Sequence, residues 1–170
     1  MSTKFELLRW RKFQGIPPKS TNSLYDKNTK NQQWYKTYPY RLFRQAMLTL
    51  LEKDSFLPSC KNEWKGHGLY IDAGIIKEFD LDNTLKGIID ALQENYGFND
   101  SFIQGIIAKK TPIGSYPLPA HKWSDQYITI GFIKYADIDC NVFTPSEFKA
   151  VESKEITAPI GLTNTLFRSV

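Results

Sequence analysis

The stretch Leu69-Tyr70-Ile71-Asp72-Ala73-Gly74-Ile75-Ile76-Lys77-Glu78-Phe79, followed at once by Asp80-Leu81-Asp82-Asn83-Thr84-Leu85-Lys86-Gly87-Ile88-Ile89-Asp90-Ala91-Leu92, decides the fold. Its first half alternates. Leu69, Ile71, Ala73, Ile75 and Phe79 share one side, while Tyr70, Asp72, Gly74, Ile76 and Glu78 share the other. A period of two is a strand signal, here with one core face expected. The second half changes period. Leu85, Ile88, Ile89 and Leu92 form an apolar stripe at helical spacing, so a helix is expected from Asp82 to Glu94. Asp82 or Asn83 suits its N-cap and Gly97 its stop.

Upstream, Phe43, Met47, Leu50 and Leu51 fall on one helical face, which predicts a helix over about Pro39–Lys53. Lys4 to Phe13 reads as a strand, closed by Gly15-Ile16-Pro17-Pro18. The polar residues 19–37 read as a long loop and residues 54–66 as another. Downstream, Phe102–Lys109 and Gln126–Tyr135 read as strands around a proline-rich loop. The order strand, helix, strand, helix, strand, strand implies an α+β domain with a mixed sheet and helices packed on it. The expected division is one domain over residues 1–136 and a C-terminal extension, 137–170, with weak periodicity and a net charge of −2.

No apolar run approaches the roughly 20 residues that cross a membrane. Cys60 and Cys140, the only cysteines, provide neither a disulfide framework nor zinc spacing, and suit reduced thiols in a cytoplasm. His67 and His121 are not spaced for zinc and read as surface residues. Charge is unevenly spread. Residues 1–50 hold ten cations against Glu6 and Asp26, a net +8 in a chain whose total is +4. Such asymmetry points the N-terminal part toward a polyanion. Lys19, Lys27, Lys30 and Lys36, with Trp34 and Tyr35 among them, read as a DNA-contacting segment, joined by Arg41 and Arg44 on the first helix.

The chemistry concentrates at Asp80-Leu81-Asp82. If the strand runs on into it, both carboxylates face one side, with Cα atoms roughly 6–7 Å apart, and can reach one hard cation. Lys86 follows one turn after Asp82. If the next strand pairs beside the first, Asp100 arrives near the pair. Acids and a lysine around a phosphate are what metal-assisted phosphodiester hydrolysis needs. Asp90 reads as the i+4 partner of Lys86, Glu78 as a minor candidate ligand, and Asp72 as structural.

The run Phe79 to Leu92, with Asn99-Asp100-Ser101-Phe102-Ile103 after it and Pro17-Pro18-Lys19-Ser20-Thr21-Asn22-Ser23-Leu24-Tyr25 before it, resembles the RusA-type Holliday junction resolvases. Two positions differ from the family pattern: Lys77-Glu78 stands where a basic run is usual, and Asn99 where a second acid is common. The resemblance implies a RusA-like fold and a homodimeric endonuclease that nicks four-way DNA junctions symmetrically. It implies Mg²⁺ as cofactor, with Mn²⁺ substituting. Asp80, Asp82 and Asp100 match the family's metal-binding acids and Lys86 its catalytic lysine. Such enzymes are often phage-encoded. Two other readings of the residues stay open: a nuclease for other branched DNA, such as flaps and forks, and a junction-binding protein without turnover.

Overall fold

A computed structural model describes residues 5–16, 25–28, 30–51, 56–115, 119–135 and 152–157. The chain is an α+β domain. In order it forms β1 (Phe5–Gln14), β2 (Tyr25–Lys27), β3 (Trp34–Lys36), α1 (Tyr38–Leu51), β4 (His67–Ile75), α2 (Leu81–Tyr96), β5 (Ile106–Pro112), β6 (Tyr127–Tyr135) and β7 (Glu152–Thr157). Five strands make one mixed sheet in the order β5-β4-β6-β1-β7. Strands β4 and β5 run parallel, β6 runs antiparallel to both β4 and β1, and β7 runs parallel to β1. The parallel β4–β5 pair requires a crossover, which α2 provides.

The amphipathic helices cover one sheet face. From α1, Tyr40, Phe43, Met47 and Leu51 are fully buried; from α2, Ile88, Ala91 and Leu92. They meet Phe13, Leu69, Ile71, Ile128 and Ile130 from the sheet. Trp64 closes this core, its ring 4.7 Å from Phe98 and 5.3 Å from Phe132, and its indole N–H donates to the Pro58 carbonyl at 2.9 Å. Helix α2 stops where Gly97 turns left-handed (φ 69°) and donates its N–H to Gln93 O at 2.8 Å, a role that suits a residue without Cβ.

Several expectations change. Strand β4 is buried on both faces rather than one. Behind the helices, Tyr70 packs with Leu7 and Ile133, and Asp72 is held in a polar cluster. The expected loop 19–37 contains the β2–β3 hairpin. Its connection is set by side chains that bind nearby main chain, Asn28 Oδ1 accepting from Lys30 N and Asn31 Oδ1 from Gln33 N. Such short-range bonds leave no alternating signature to read. The strand expected at Phe102 starts at Ile106, after a short 3-10 helix over Asp100–Phe102. From the C-terminal extension, β7 adds the edge strand beside β1, Arg9 standing opposite Glu152 and Gln14 opposite Thr157. No helix among the described residues is long and apolar enough to cross a membrane.

Candidate functional site

Strand β4 ends at Ile75, and the chain turns through Lys77-Glu78-Phe79 before α2 begins. Two contacts pin that turn. Phe79 N donates to Ile76 O at 3.0 Å, and Lys77 N donates to Gly114 O at 2.8 Å. A third comes from below. The Lys110 ammonium donates to Lys77 O at 2.6 Å and to Phe79 O at 2.7 Å. Strand geometry therefore does not continue to Asp80 and Asp82, contrary to the premise that put both carboxylates on one strand face. Lys110 gave no sequence signal, because its partners are main-chain atoms more than 30 positions away.

Asp80 instead occupies the N-cap position of α2, and Asp82 lies in its first turn. Residues two apart at a helix start do not face each other. The Asp80 carboxylate makes no capping bond to the helix; it accepts from the Asn83 amide at 3.4 Å. The buried Thr84 hydroxyl donates to the Asp80 carbonyl at 2.9 Å and ties the N-terminus down. The expected caps, Asp82 and Asn83, thus lie inside the helix.

Helix α2 and the segment leading into β5 enclose an open groove of about 490 Å³. Asp82, Lys86, Asp90 and Asp100 supply its charged groups; Leu85, Ile89, Ile103 and Ile106 make the apolar lining. So three of the four expected catalytic residues share one groove. Asp80 is not among the residues that line it. Asp100 is exposed at the start of the 3-10 helix, where Asn99 Oδ1 accepts from Ser101 N at 2.9 Å. Among the described residues, no three His, Cys, Asp or Glu side chains are grouped so as to hold a metal ion. Magnesium commonly takes only one or two protein carboxylates, with water and phosphate completing the shell. The groove's carboxylates are Asp82, Asp90 and Asp100, and Asp90 is engaged by Lys86 and Tyr40.

The basic residues divide into two groups. Lys27 and Lys30 are exposed on the β2–β3 hairpin. Arg41 is exposed on α1, its guanidinium 5.9 Å from the ring centre of the exposed Tyr38. Lys36 and Arg44 lie elsewhere, at the seam of α1 and α2. Arg44 pairs with Glu94 across the seam, and its Nε is buried without a partner. Lys36 sits 5.7 Å from the Tyr40 ring centre. Burial lowers its pKa, and the charges of Arg44 and Lys86 lower it further, with Asp90 opposing them. Lys19 lies outside the described residues, as does most of the Pro17–Tyr25 segment.

Asp90 is confirmed as the partner of Lys86, with Nζ to Oδ1 at 3.3 Å. It also accepts from the Tyr40 hydroxyl of α1 at 3.4 Å. Asp72 plays the structural part expected of it. It accepts from Thr111 Oγ1 at 2.8 Å and Tyr127 OH at 3.3 Å, with Lys109 Nζ 3.6 Å away. His67 is half-buried rather than a simple surface residue, stacked on Phe132 at 4.8 Å. The His121 side chain lies outside the described residues.

No protein-family model matches the chain, and no curated protein is significantly similar to it.

Proposed function

We propose that the chain is a Mg²⁺-dependent endonuclease for branched DNA, acting as a homodimer on four-way junctions. The observation that carries this reading is the shared groove: Asp82 and Asp100 line it together with Lys86, which follows Asp82 by one helical turn. The RusA-like motif supplies the rest of the argument, including Asp80. Bound between such carboxylates and a phosphate, a divalent ion would polarise the phosphorus centre and acidify an attacking water.

The chain's own groups do the remaining work. Lys86 is well exposed at the groove and offers a cation to a non-bridging oxygen or to the leaving group. The free N–H groups of the first turn of α2 favour an anion at the same end. Lys27, Lys30 and Arg41 face solvent and suit salt-sensitive contacts along the DNA arms. Ser101 and the apolar lining shape the groove without charge.

A second reading, junction binding without turnover, keeps the same groove and the same exposed cations but has no cleavage. Junctions, flaps and forks are separated by substrate preference alone. One experiment separates all of these. A synthetic four-way junction, a flap, a fork and a linear duplex are incubated with the full chain in Mg²⁺, beside Asp82→Asn. Paired symmetric nicks confined to the junction and lost in the variant support the proposal. Cutting of flaps or forks moves the substrate assignment. Tight binding with no cutting in Mg²⁺ or Mn²⁺ overturns the enzyme reading.

A further inference from the structure

The face of α2 that borders the groove carries two rows of side chains. Asp82, Lys86 and Asp90 follow one another at i+4, and beside them Leu85 and Ile89 do the same. The other wall repeats the division, with Asp100 and Ser101 followed by Ile103 and Ile106. Together they line about 490 Å³, the size of cleft that takes a small organic group. Leu85, Ile89 and Ile103 pack against the core yet are only partly buried, and Ile106 is 43% exposed. Apolar surface therefore stands open on a firm support. A nucleotide has the same two-sided chemistry: an anionic phosphate, and a flat uncharged base that packs on apolar side chains. In continuous duplex every base is paired and stacked. At a branch point a base leaves the stack at less cost.

We propose that Leu85, Ile89, Ile103 and Ile106 take up one unstacked base of branched DNA while the adjoining phosphate lies along the charged row. The site deepens the nuclease reading and rests on it for the divalent ion that offsets Asp82 and Asp100 beside that phosphate. It adds a means of telling a branch from plain duplex: only a base free to leave its stack can enter. Charge selects this occupant over a second copy of the chain. The lining holds three Asp and one Lys, so the same face set against itself across a two-fold axis repels. DNA arrives with cations and presents a neutral base to the apolar part. Among the described residues Ser101 is the one uncharged polar side chain of the lining. Base identity is read through hydrogen bonds to base edges, so this site responds to the freedom of a base and little to its sequence.

The test uses the full chain and a four-way junction carrying 2-aminopurine at the exchange point, a base analogue that brightens when it leaves the stack. A linear duplex with the same probe stands beside it. Binding is followed in Ca²⁺, which takes the same oxygen ligands, and cleavage in Mg²⁺ separately; thermal melting checks the fold of each variant. The probe brightens on the junction and stays dark in the duplex. Ile106→Ala and Ile89→Ala remove most of the brightening and weaken junction binding about four- to tenfold, the scale of one or two buried methylene groups. Ile106→Val restores both. The slope of log affinity against log salt does not change, because a base contact releases no counterions. A probe that stays dark on the wild type overturns the site, as does brightening that survives in both folded Ala variants. Loss of dimer in Ile106→Ala by sedimentation, with the brightening intact, overturns it in favour of a second copy in the groove. If the junction is cut while the probe stays dark, the base site falls and the nuclease reading stands. If the probe responds as expected but nothing is cut in Mg²⁺ or Mn²⁺, the base site stands and the nuclease reading falls.

Discussion

The Lys110 ammonium lies 2.7 Å from the carbonyl oxygen of Phe79, the residue immediately before Asp80. One side chain from β5 thereby sets where β4 stops and where α2 and its acids start. The second bond, to Lys77 O, makes the clamp bidentate.

Replacing this lysine tests the clamp. Lys110→Met keeps the aliphatic stem and removes both bonds. Hydrogen bonds to charged groups contribute about 1.5–3 kcal/mol, and partial exposure of this pair places the loss toward the lower end. Urea denaturation reads that loss. Because the turn carries Asp80, the cleavage activity proposed above is expected to fall in this variant even at a temperature well below melting, where the chain stays folded.

The acids and the metal are tested together. On the proposed function, EDTA is expected to abolish cleavage and Mg²⁺ or Mn²⁺ to restore it. Asp82→Asn and Asp100→Asn each lower the rate by more than about a hundredfold, since even the outer partners of a metal site cost about 10–100-fold. Asp80→Asn is expected to do the same on the strength of the motif. A folded Asp80→Asn variant with full activity would confine the site to the residues that line the groove. Junction affinity in EDTA does not fall in any of the three, because removing a carboxylate beside a phosphate relieves repulsion.

Glycine 74 carries a packing prediction. The Tyr127 ring lies so close over it that a Cβ would overlap the ring carbons. Gly74→Ala pushes the ring away and strains its bond to Asp72, costing about 1–3 kcal/mol, the usual range for overpacking. Combining it with Tyr127→Leu recovers part of the loss, which a double-mutant cycle measures.

Alkaline pH addresses the other sheet face. Burial, reinforced by the charge of Asp72 and by Tyr127, pushes the Tyr70 hydroxyl up to about 12 from the ordinary 10.0. The folded chain therefore holds this proton to higher pH than the unfolded chain does. That contribution is complete below pH 10 and is lost as pH rises from 10 toward about 12. Tyr127 is raised in the same direction, chiefly by burial. Denaturation midpoints fall across this window, and Tyr70→Phe makes the fall shallower without removing it.

The legible parts of this fold are those with local causes. The alternation of Leu69 to Ile75 and the stripe Leu85, Ile88, Ile89 and Leu92 depend only on backbone period, so β4 and α2 could be read directly. Gly97 could be read as a stop because its left-handed conformation is a property of the residue itself. The pairing of Lys86 with Asp90 follows from helical spacing in the same way.

By itself, then, the sequence determined the α+β class, the periods of its main elements, the basic N-terminal part and the neighbourhood of Asp82 and Lys86 on one helix. Tertiary structure alone decided that β4 ends at Ile75, that β7 joins the sheet beside β1, that Asp100 meets the α2 groove, and that Tyr40 of α1 reaches Asp90 of α2. The reason is physical. Period and capping act within a turn or two of the chain, whereas the contacts that settle these points join residues from 31 positions apart, Lys110 and Phe79, to 143 apart, Arg9 and Glu152, and exist only once the sheet has formed.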